Sequence, residues 1–196
     1  MRIFPRLYDL MMARGERGRV GRWRRSVVAR ARGRVLEIGA GTGLDFQHYQ
    51  PGTWVVATDP DLGMLERARP RARAATAAIE LVAADAEALP FRDAAFDHAV
   101  VGLAMCTIPD PARALDELRR TLRPNGVIRM LEHVRMEHPA LVGRLQDWIT
   151  PLWRPLAGGC HLNRRTVEAV RDAGFERIAT TPHSGGYVLE IVARNP

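Results

Sequence analysis

The stretch VLEIGAGTGLDF, Val35 to Phe46, constrains the fold more than any other. Val35, Leu36 and Ile38 read as a short buried strand around a carboxylate, Glu37, and glycines follow at the alternate positions 39, 41 and 43. Removing side chains at three alternate positions lets something lie against the backbone. In an open parallel sheet, ligands sit beyond the carboxyl ends of the strands, and a glycine turn after the first strand belongs there.

The downstream pattern supplies such a sheet. TWVVATD, IELVAAD, FDHAVVGLAM and VIRMLEHV read as four more strands. LDFQHYQ reads as a short helix, and DLGMLERARPRARAA as a helix that Pro70 should disturb. DPARALDELRRTLRPNG predicts a helix with Asp110 as N-cap, Pro111 in its first turn and Gly126 just past its stop. Near the end, NRRTVEAVRDAGF predicts a helix capped by Asn163 and stopped at Gly174. ERIATT and GYVLEIVAR are strands joined by a loop too short for a crossover, so they must pair antiparallel. The expected fold is α/β: a Rossmann-like, seven-stranded, mostly parallel sheet with helices on both faces and an antiparallel last strand.

At 196 residues the chain suits one domain. Its 46% hydrophobic and 26% charged residues are those of a soluble globular protein, and no apolar run approaches a bilayer span. Arginines interrupt the N-terminus too often for a signal-peptide core, and two cysteines, Cys106 and Cys160, predict neither a disulfide framework nor a metal site. A reducing cytoplasm is the expected compartment. Of the net charge of +7, residues 1–34 carry +9, so the remainder is slightly acidic. All 29 basic residues are arginine, a bias that discounts the basicity as a sign of nucleic-acid binding. An arm meeting anionic lipid stays open beside the plainer reading of a solvated helix face.

Spacing narrows the ligand. The dinucleotide fingerprint is G-x-G-x-x-G, whereas here Leu44 stands where the third glycine would fall. Glu37 would repel a pyrophosphate but suits an ammonium group. Asp59, 22 positions on, ends the second strand and suits ribose hydroxyls. Asp85, after the third strand, could accept from the exocyclic amine of a purine. An amine, a ribose and an adenine together describe S-adenosylmethionine.

VLEIGAGTG, VVATDPDLGML, LVAADAEALPF, FDHAVV and LRPNG resemble, in order, the motifs of class I S-adenosylmethionine-dependent methyltransferases over about residues 33–133. The chain looks most like the branch containing ubiquinone/menaquinone and phospholipid methyltransferases. LWRPLAGGCHLNRRTVEAVRDAGF is similar to the tail of the methyltransferase-like 7 group, thiol methyltransferases associated with membranes. The resemblance implies that Glu37 faces the methionine ammonium while Gly39, Ala40, Gly41, Thr42 and Gly43 wrap the cofactor. It places Asp59 on the ribose, Pro60 and Met64 beside the adenine, and Asp85 and Ala86 at the adenine edge. Gly102 and Leu103 would border the methyl group, and Tyr8 would close over the cofactor. Plainer roles compete: Glu37 paired with an N-terminal arginine, Asp85 capping the turn into AEALPF, and Tyr8 as half-buried packing.

For the acceptor, His133 at the end of the fifth strand is the candidate catalytic base, with Cys160, His161 and Arg164 as a second wall. Arg164 suits a phosphate or carboxylate, and no metal is expected. Leu141, Leu145, Trp148, Ile149 and Leu152 form one helical stripe, facing either the core or a lipid surface. The expected layout is a helical lid over 1–32, a cofactor-binding core over 33–133, an acceptor-side helical insertion over 134–165, and a closing helix and strands over 166–196. The leading reading is a small-molecule methyltransferase with an apolar or lipid-borne acceptor, a phospholipid amine headgroup ahead of an alkyl thiol. A nicotinamide oxidoreductase is disfavoured by the glycine spacing; a non-catalytic cofactor-binding protein stays open. The expected partners are that acceptor and a membrane surface met through the N-terminal arginines, with no nucleic acid.

Overall fold

The computed structural model describes residues 18–196. Tyr8 and the first part of the expected lid lie outside them. Helix α1 (Arg19–Val28) leads into strand β1 (Arg34–Ile38), then a 3-10 turn (Phe46–His48), β2 (Trp54–Asp59), α2 (Leu62–Ala74) and β3 (Ala78–Ala83). Strand β4 (Phe96–Gly102), α3 (Pro111–Thr121), β5 (Leu122–His133), α4 (Ala140–Trp153), α5 (Thr166–Asp172), β6 (Glu176–His183) and β7 (Val188–Arg194) complete the order.

One seven-stranded sheet runs β3-β2-β1-β4-β5-β7-β6. Strand β1 pairs parallel with β2 on one side and β4 on the other, so the winding reverses beside it. Strand β7 alone is antiparallel, pairing with both β5 and β6. The central strands β1, β2 and β4 are largely apolar on both faces because helices cover both. Leu36, Ile38, Ala99 and Val101 pack with Leu115 and Leu118 of α3 and Val170 of α5. Their alternates Val35, Val55, Ala57 and Val100 pack with Val28 of α1 and Ala68 of α2.

Local chemistry sets the helix ends. Asp110 accepts from the amides of Ala112 and Arg113, both at 3.1 Å, with Pro111 in the first turn. Asp61 does the same for α2, accepting from Gly63 at 2.7 Å.

Four expectations are corrected. Helix α2 runs straight through Pro70 to Ala74. Pro70 and Glu66 are exposed, so the carbonyl the proline leaves unpaired meets water, and Arg71 pins the last turn by donating to the Thr42 carbonyl at 2.7 Å. Helix α3 stops at Thr121, not beside Gly126; Phe96 pairs with Leu122 but His98 with Val127, so residues 123–126 bulge from the start of β5. Asn163 does not cap α5, whose cap position is Arg165; its amide instead donates to Asp147 at 3.0 Å. Finally, α1 lies within the expected lid, yet it buries Arg24, Val27 and Val28 and is a core helix.

Candidate functional site

Strands β1, β2, β3, β4 and β5 all point one way, so Glu37, Asp59, Asp85, Gly102 and His133 reach the same edge of the sheet. The glycine turn opens that edge. All three glycines are left-handed, with φ of 64°, 55° and 80°, but they serve different ends. A Cβ on Gly39 would run into Ala104, and one on Gly43 would lie 2.5 Å from the Phe46 ring. Among the described residues, a Cβ on Gly41 would meet nothing nearer than the Gly39 carbonyl at 4.0 Å. Two glycines are therefore packed by the protein, and the middle one faces open space.

Asp59 holds the turn in place. Its carboxylate accepts from the Gly41 amide and the Asp61 amide, both at 2.9 Å. Those bonds use about half of a carboxylate's roughly four lone-pair positions, leaving capacity for hydroxyl donors. Burial raises its pKa. Glu37 is 1% exposed and accepts from the Tyr49 hydroxyl at 2.7 Å. Burial, with help from Asp45, pushes its carboxyl well above the usual range. An acid held in this way gains from an arriving cation. Ala40 is buried and its amide donates to Thr58 at 2.9 Å, while Thr42 is buried too. Pro60 is exposed and Met64 half-buried at the start of α2.

Asp85 accepts from the Glu87 amide at 2.9 Å and so caps the turn into AEALPF, the plainer of its two expected roles; Ala86 beside it is buried. The arginine partner foreseen for Glu37 goes elsewhere. Arg24 of α1 pairs with Asp45 at 3.0 Å, with side chains only 3% and 5% exposed. This pair fills the space where a Gly102 side chain would stand. Next to it Leu103 takes φ of 58° and donates its amide to Leu131 at 2.7 Å, a strained backbone at the strand end.

The acceptor side gathers three loops. The Cys160 sulfur lies 3.2 Å from Nε2 of His133, whose ring stacks on Tyr187 with centroids 5.6 Å apart. Cys106, given no role at the site from sequence, joins them: its sulfur, the Cys160 sulfur and a His133 nitrogen all lie within 4.8 Å of one another. The hydrogen bond from Cys106 and the imidazole beside it push the Cys160 thiol down to about 4. Burial opposes protonation of His133, but Cys160 outweighs it and the imidazole is raised. Glu132 is fully buried; one oxygen accepts from the Ala104 and Met105 amides at 2.9 and 3.0 Å, and the other has no partner among the described residues. Burial lifts its carboxyl to about 7.

His161 and Arg164 brace this wall. The His161 amide and Nδ1 both reach the Cys106 carbonyl, at 2.9 and 3.1 Å. Arg164 donates through Nη2 to the carbonyls of Ile108 and Pro109, at 2.6 and 3.5 Å, which makes it a strut between loops. Helix α4 is inverted. Gly143, Gln146 and Thr150 face inward, with Gln146 bonded to Val134, Met136 and Leu162, while Leu141, Leu145, Trp148 and Leu152 face outward. The core-facing reading of that stripe is overturned. Sequence reasoning passed over Arg24, Asp45, Tyr49 and the role of Cys106. Only Asp45, just past the glycine turn, carried any local signal.

Known proteins complete the picture. The methyltransferase domain family matches residues 36–130. The chain belongs to the class I S-adenosylmethionine-dependent methyltransferases. It is 32% identical over 148 residues to thiol S-methyltransferase TMT1B of Homo sapiens, covering 74% of this chain and 60% of that protein. It is 38% identical over 137 residues to the demethylmenaquinone methyltransferase of Thermus thermophilus, covering 66% and 62%. The chain thus spans about 60% of the length of these curated relatives. In fold it superposes on an S-adenosylmethionine-dependent methyltransferase from Thermotoga maritima with a TM-score of 0.72 over 100% of this chain and 98% of that one, at 22% identity.

The family implies S-adenosylmethionine, and the residues fit it. The turn is open where the ligand must pass, at Gly41, and a buried acid whose carboxylate bonds no cation among the described residues stands one strand away from an acid with spare acceptor capacity. In this family's arrangement Glu37 would take the ammonium, Asp59 the ribose and the Ala86 turn the adenine.

Proposed function

We propose that this chain is an S-adenosylmethionine-dependent methyltransferase whose acceptor is a thiol. The observation that carries the reading is the soft acceptor wall, Cys106, His133 and Cys160, at the end of β5. A primary amine headgroup calls for a cage of anionic or aromatic groups, yet the one carboxylate at this wall, Glu132, is fully buried and turns one oxygen to two backbone amides. A thiol needs little help, because a useful fraction ionises near neutral pH. The relatives add weight: the human one is named a thiol S-methyltransferase, whereas the phospholipid headgroup ranked first from sequence has no counterpart among the relatives described above.

When bound, the cofactor supplies an electrophilic methyl group on a sulfonium. The chain's own part is alignment and dryness. Glu37 and Asp59 would hold two ends of the ligand, and Gly41 would let it lie against the turn. Incubation with methyl-labelled cofactor and a panel of alkyl thiols, quinols and phosphatidylethanolamine vesicles tests the reading. Label on thioether is the expected result, and label confined to lipid or quinol overturns it.

We further propose that the outer face of α4 rests on a lipid surface, from which an apolar thiol would arrive. Leu141 and Trp148 are 75% and 71% exposed, Leu145, Leu152 and Leu156 also face outward, and Arg144 and Arg154 flank them. Such a stripe, with tryptophan at the boundary, suits an interface. Among the described residues no helix is long and apolar enough to cross a membrane. Flotation with anionic vesicles should recover the protein and should fail for Leu145→Glu/Trp148→Glu; equal recovery of both removes the surface.

A further inference from the structure

The cluster at the end of β5 has a geometry that a thiol acceptor alone does not explain. Cys106 comes from the loop after β4, His133 from the last residue of β5 and Cys160 from the loop before α5. Each is fixed by separate contacts. The Cys106 carbonyl takes two bonds from His161, which ties its loop to that of Cys160. Stacking on Tyr187 sets the plane of the His133 ring. Among the described residues nothing bonds to Nδ1 of His133, so no partner on that side dictates which nitrogen offers its lone pair.

We propose that Cys106, His133 and Cys160 form a three-ligand site for a soft divalent metal ion of the zinc class, with a fourth position for the acceptor thiolate. Ligand atoms around a tetrahedral zinc ion stand roughly 3.5–3.8 Å apart, as bond lengths of about 2.3 Å to sulfur and 2.0 Å to nitrogen require. The observed contact of 3.2 Å and the outer limit of 4.8 Å bracket that spacing, so small side-chain shifts suffice. Two thiolates and a neutral imidazole balance a double positive charge, and they select zinc-like ions over magnesium or calcium. A site with three protein ligands and one exchangeable position is the arrangement of catalytic rather than structural zinc.

The fourth position rests on the thiol reading above. An acceptor thiol entering it loses its proton to solvent and binds as thiolate. Its sulfur then forms a bond to the methyl carbon as the bond from that carbon to the sulfonium breaks. The breaking pair stays on the cofactor sulfur, leaving two neutral thioethers. The methylated product is a weaker ligand than the thiolate and departs.

Titration of the reduced 196-residue chain with cobalt(II), a coloured stand-in for zinc, tests the site. Saturation at one equivalent, with intense tetrahedral visible bands, thiolate charge-transfer absorption and displacement by zinc, is expected. Cys106→Ser, Cys160→Ser and His133→Ala should each weaken binding by roughly 10-fold or more while keeping calorimetric binding of S-adenosylhomocysteine, which shows that they fold. No uptake while both thiols react with a thiol reagent overturns the site, as does isolation of the pair as a disulfide that excludes cobalt after reduction and re-oxidation in air. Addition of an alkyl thiol should shift the visible bands; unshifted bands overturn the fourth position. Full thiol methylation after chelation would remove the metal and leave the thiol acceptor standing.

Discussion

Replacing the glycines one at a time separates folding from binding. In Gly41→Ala the added methyl has no neighbour within van der Waals contact among the described residues, whose nearest atom is 4.0 Å away. The cost is the left-handed backbone alone, φ of 55°, which for a non-glycine residue is about 1–2 kcal/mol. For a domain of this size that lowers the melting temperature by roughly 2–8 °C. In Gly43→Ala the methyl would stand 2.5 Å from the ring of Phe46, a fully buried side chain, so backbone strain and overpacking add. With overpacking costing about 1–3 kcal/mol, the total reaches roughly 2–5 kcal/mol. Cofactor binding should rank the opposite way. Gly41→Ala puts its methyl in the space the ligand needs, and Gly41→Val should abolish binding while the protein still melts cooperatively. Scanning calorimetry gives the melts and titration calorimetry with S-adenosylhomocysteine gives the affinities. A Gly41→Ala protein that binds like the parent, or that melts below Gly43→Ala, refutes the assignment of the open side of the turn to the cofactor.

Three further outcomes follow from the same edge of the sheet. Asp59→Ala should weaken cofactor binding by about 1.5–3 kcal/mol, roughly 10- to 150-fold, as expected for hydrogen bonds to a charged acceptor; unchanged affinity by titration calorimetry removes Asp59 from the site. Asp45→Ala removes the carboxylate that Arg24 meets at 3.0 Å in a site where both side chains are buried, and should lower stability in chemical denaturation by about 1–3 kcal/mol, the cost of breaking a charged hydrogen bond; an unchanged denaturation midpoint means that the pair adds nothing to the fold. Glu37 titrates above its ordinary 4.5 because of burial and Asp45, so between 4.5 and its raised value the empty folded state holds a proton that the unfolded chain has lost. Its contribution to stability therefore falls as pH rises through that window, while cofactor affinity rises there as the ammonium draws out the proton. Calorimetry in buffers of different ionisation enthalpy should detect proton release on binding, and an identical pH profile in Glu37→Gln would exclude Glu37 as its source.

The sheet was legible because its signals are local. Alternating apolar strands, an Asp110-Pro111 cap and a loop too short for a crossover each say what the next few residues do, and the fold class follows from them. The errors arose where tertiary contacts overrode a local rule. Pro70 should break α2, yet its unpaired carbonyl faces solvent and Arg71 anchors the turn beyond it. Asn163 has the chemistry of a cap but finds a better partner in Asp147, on a helix that sequence does not place beside it. The stripe of α4 has the period of a core-facing helix, and nothing in a period says which side is inside. Gln146 decides it, by bonding to backbone groups of two other segments.

The cofactor half and the acceptor half of the edge differ for a related reason. Glu37, Gly41 and Asp59 sit at the ends of neighbouring strands, and each is read from a run of fewer than ten residues. The acceptor wall is assembled from positions 106, 133 and 160, whose only common property is that the loops carrying them end in the same place. Two cysteines so far apart count as unrelated thiols in a sequence; the crossover through α3 and the return through α4 make them neighbours. His161 shows how that meeting is secured, since its backbone amide and ring Nδ1 both reach the carbonyl of Cys106. A residue whose type suggests acceptor chemistry is thus occupied in holding the acceptor side together, and the sulfur chemistry passes to the cysteines on either end of that tie. For this reason Cys106, rather than His161 or Arg164, separates a soft acceptor site from a merely braced loop.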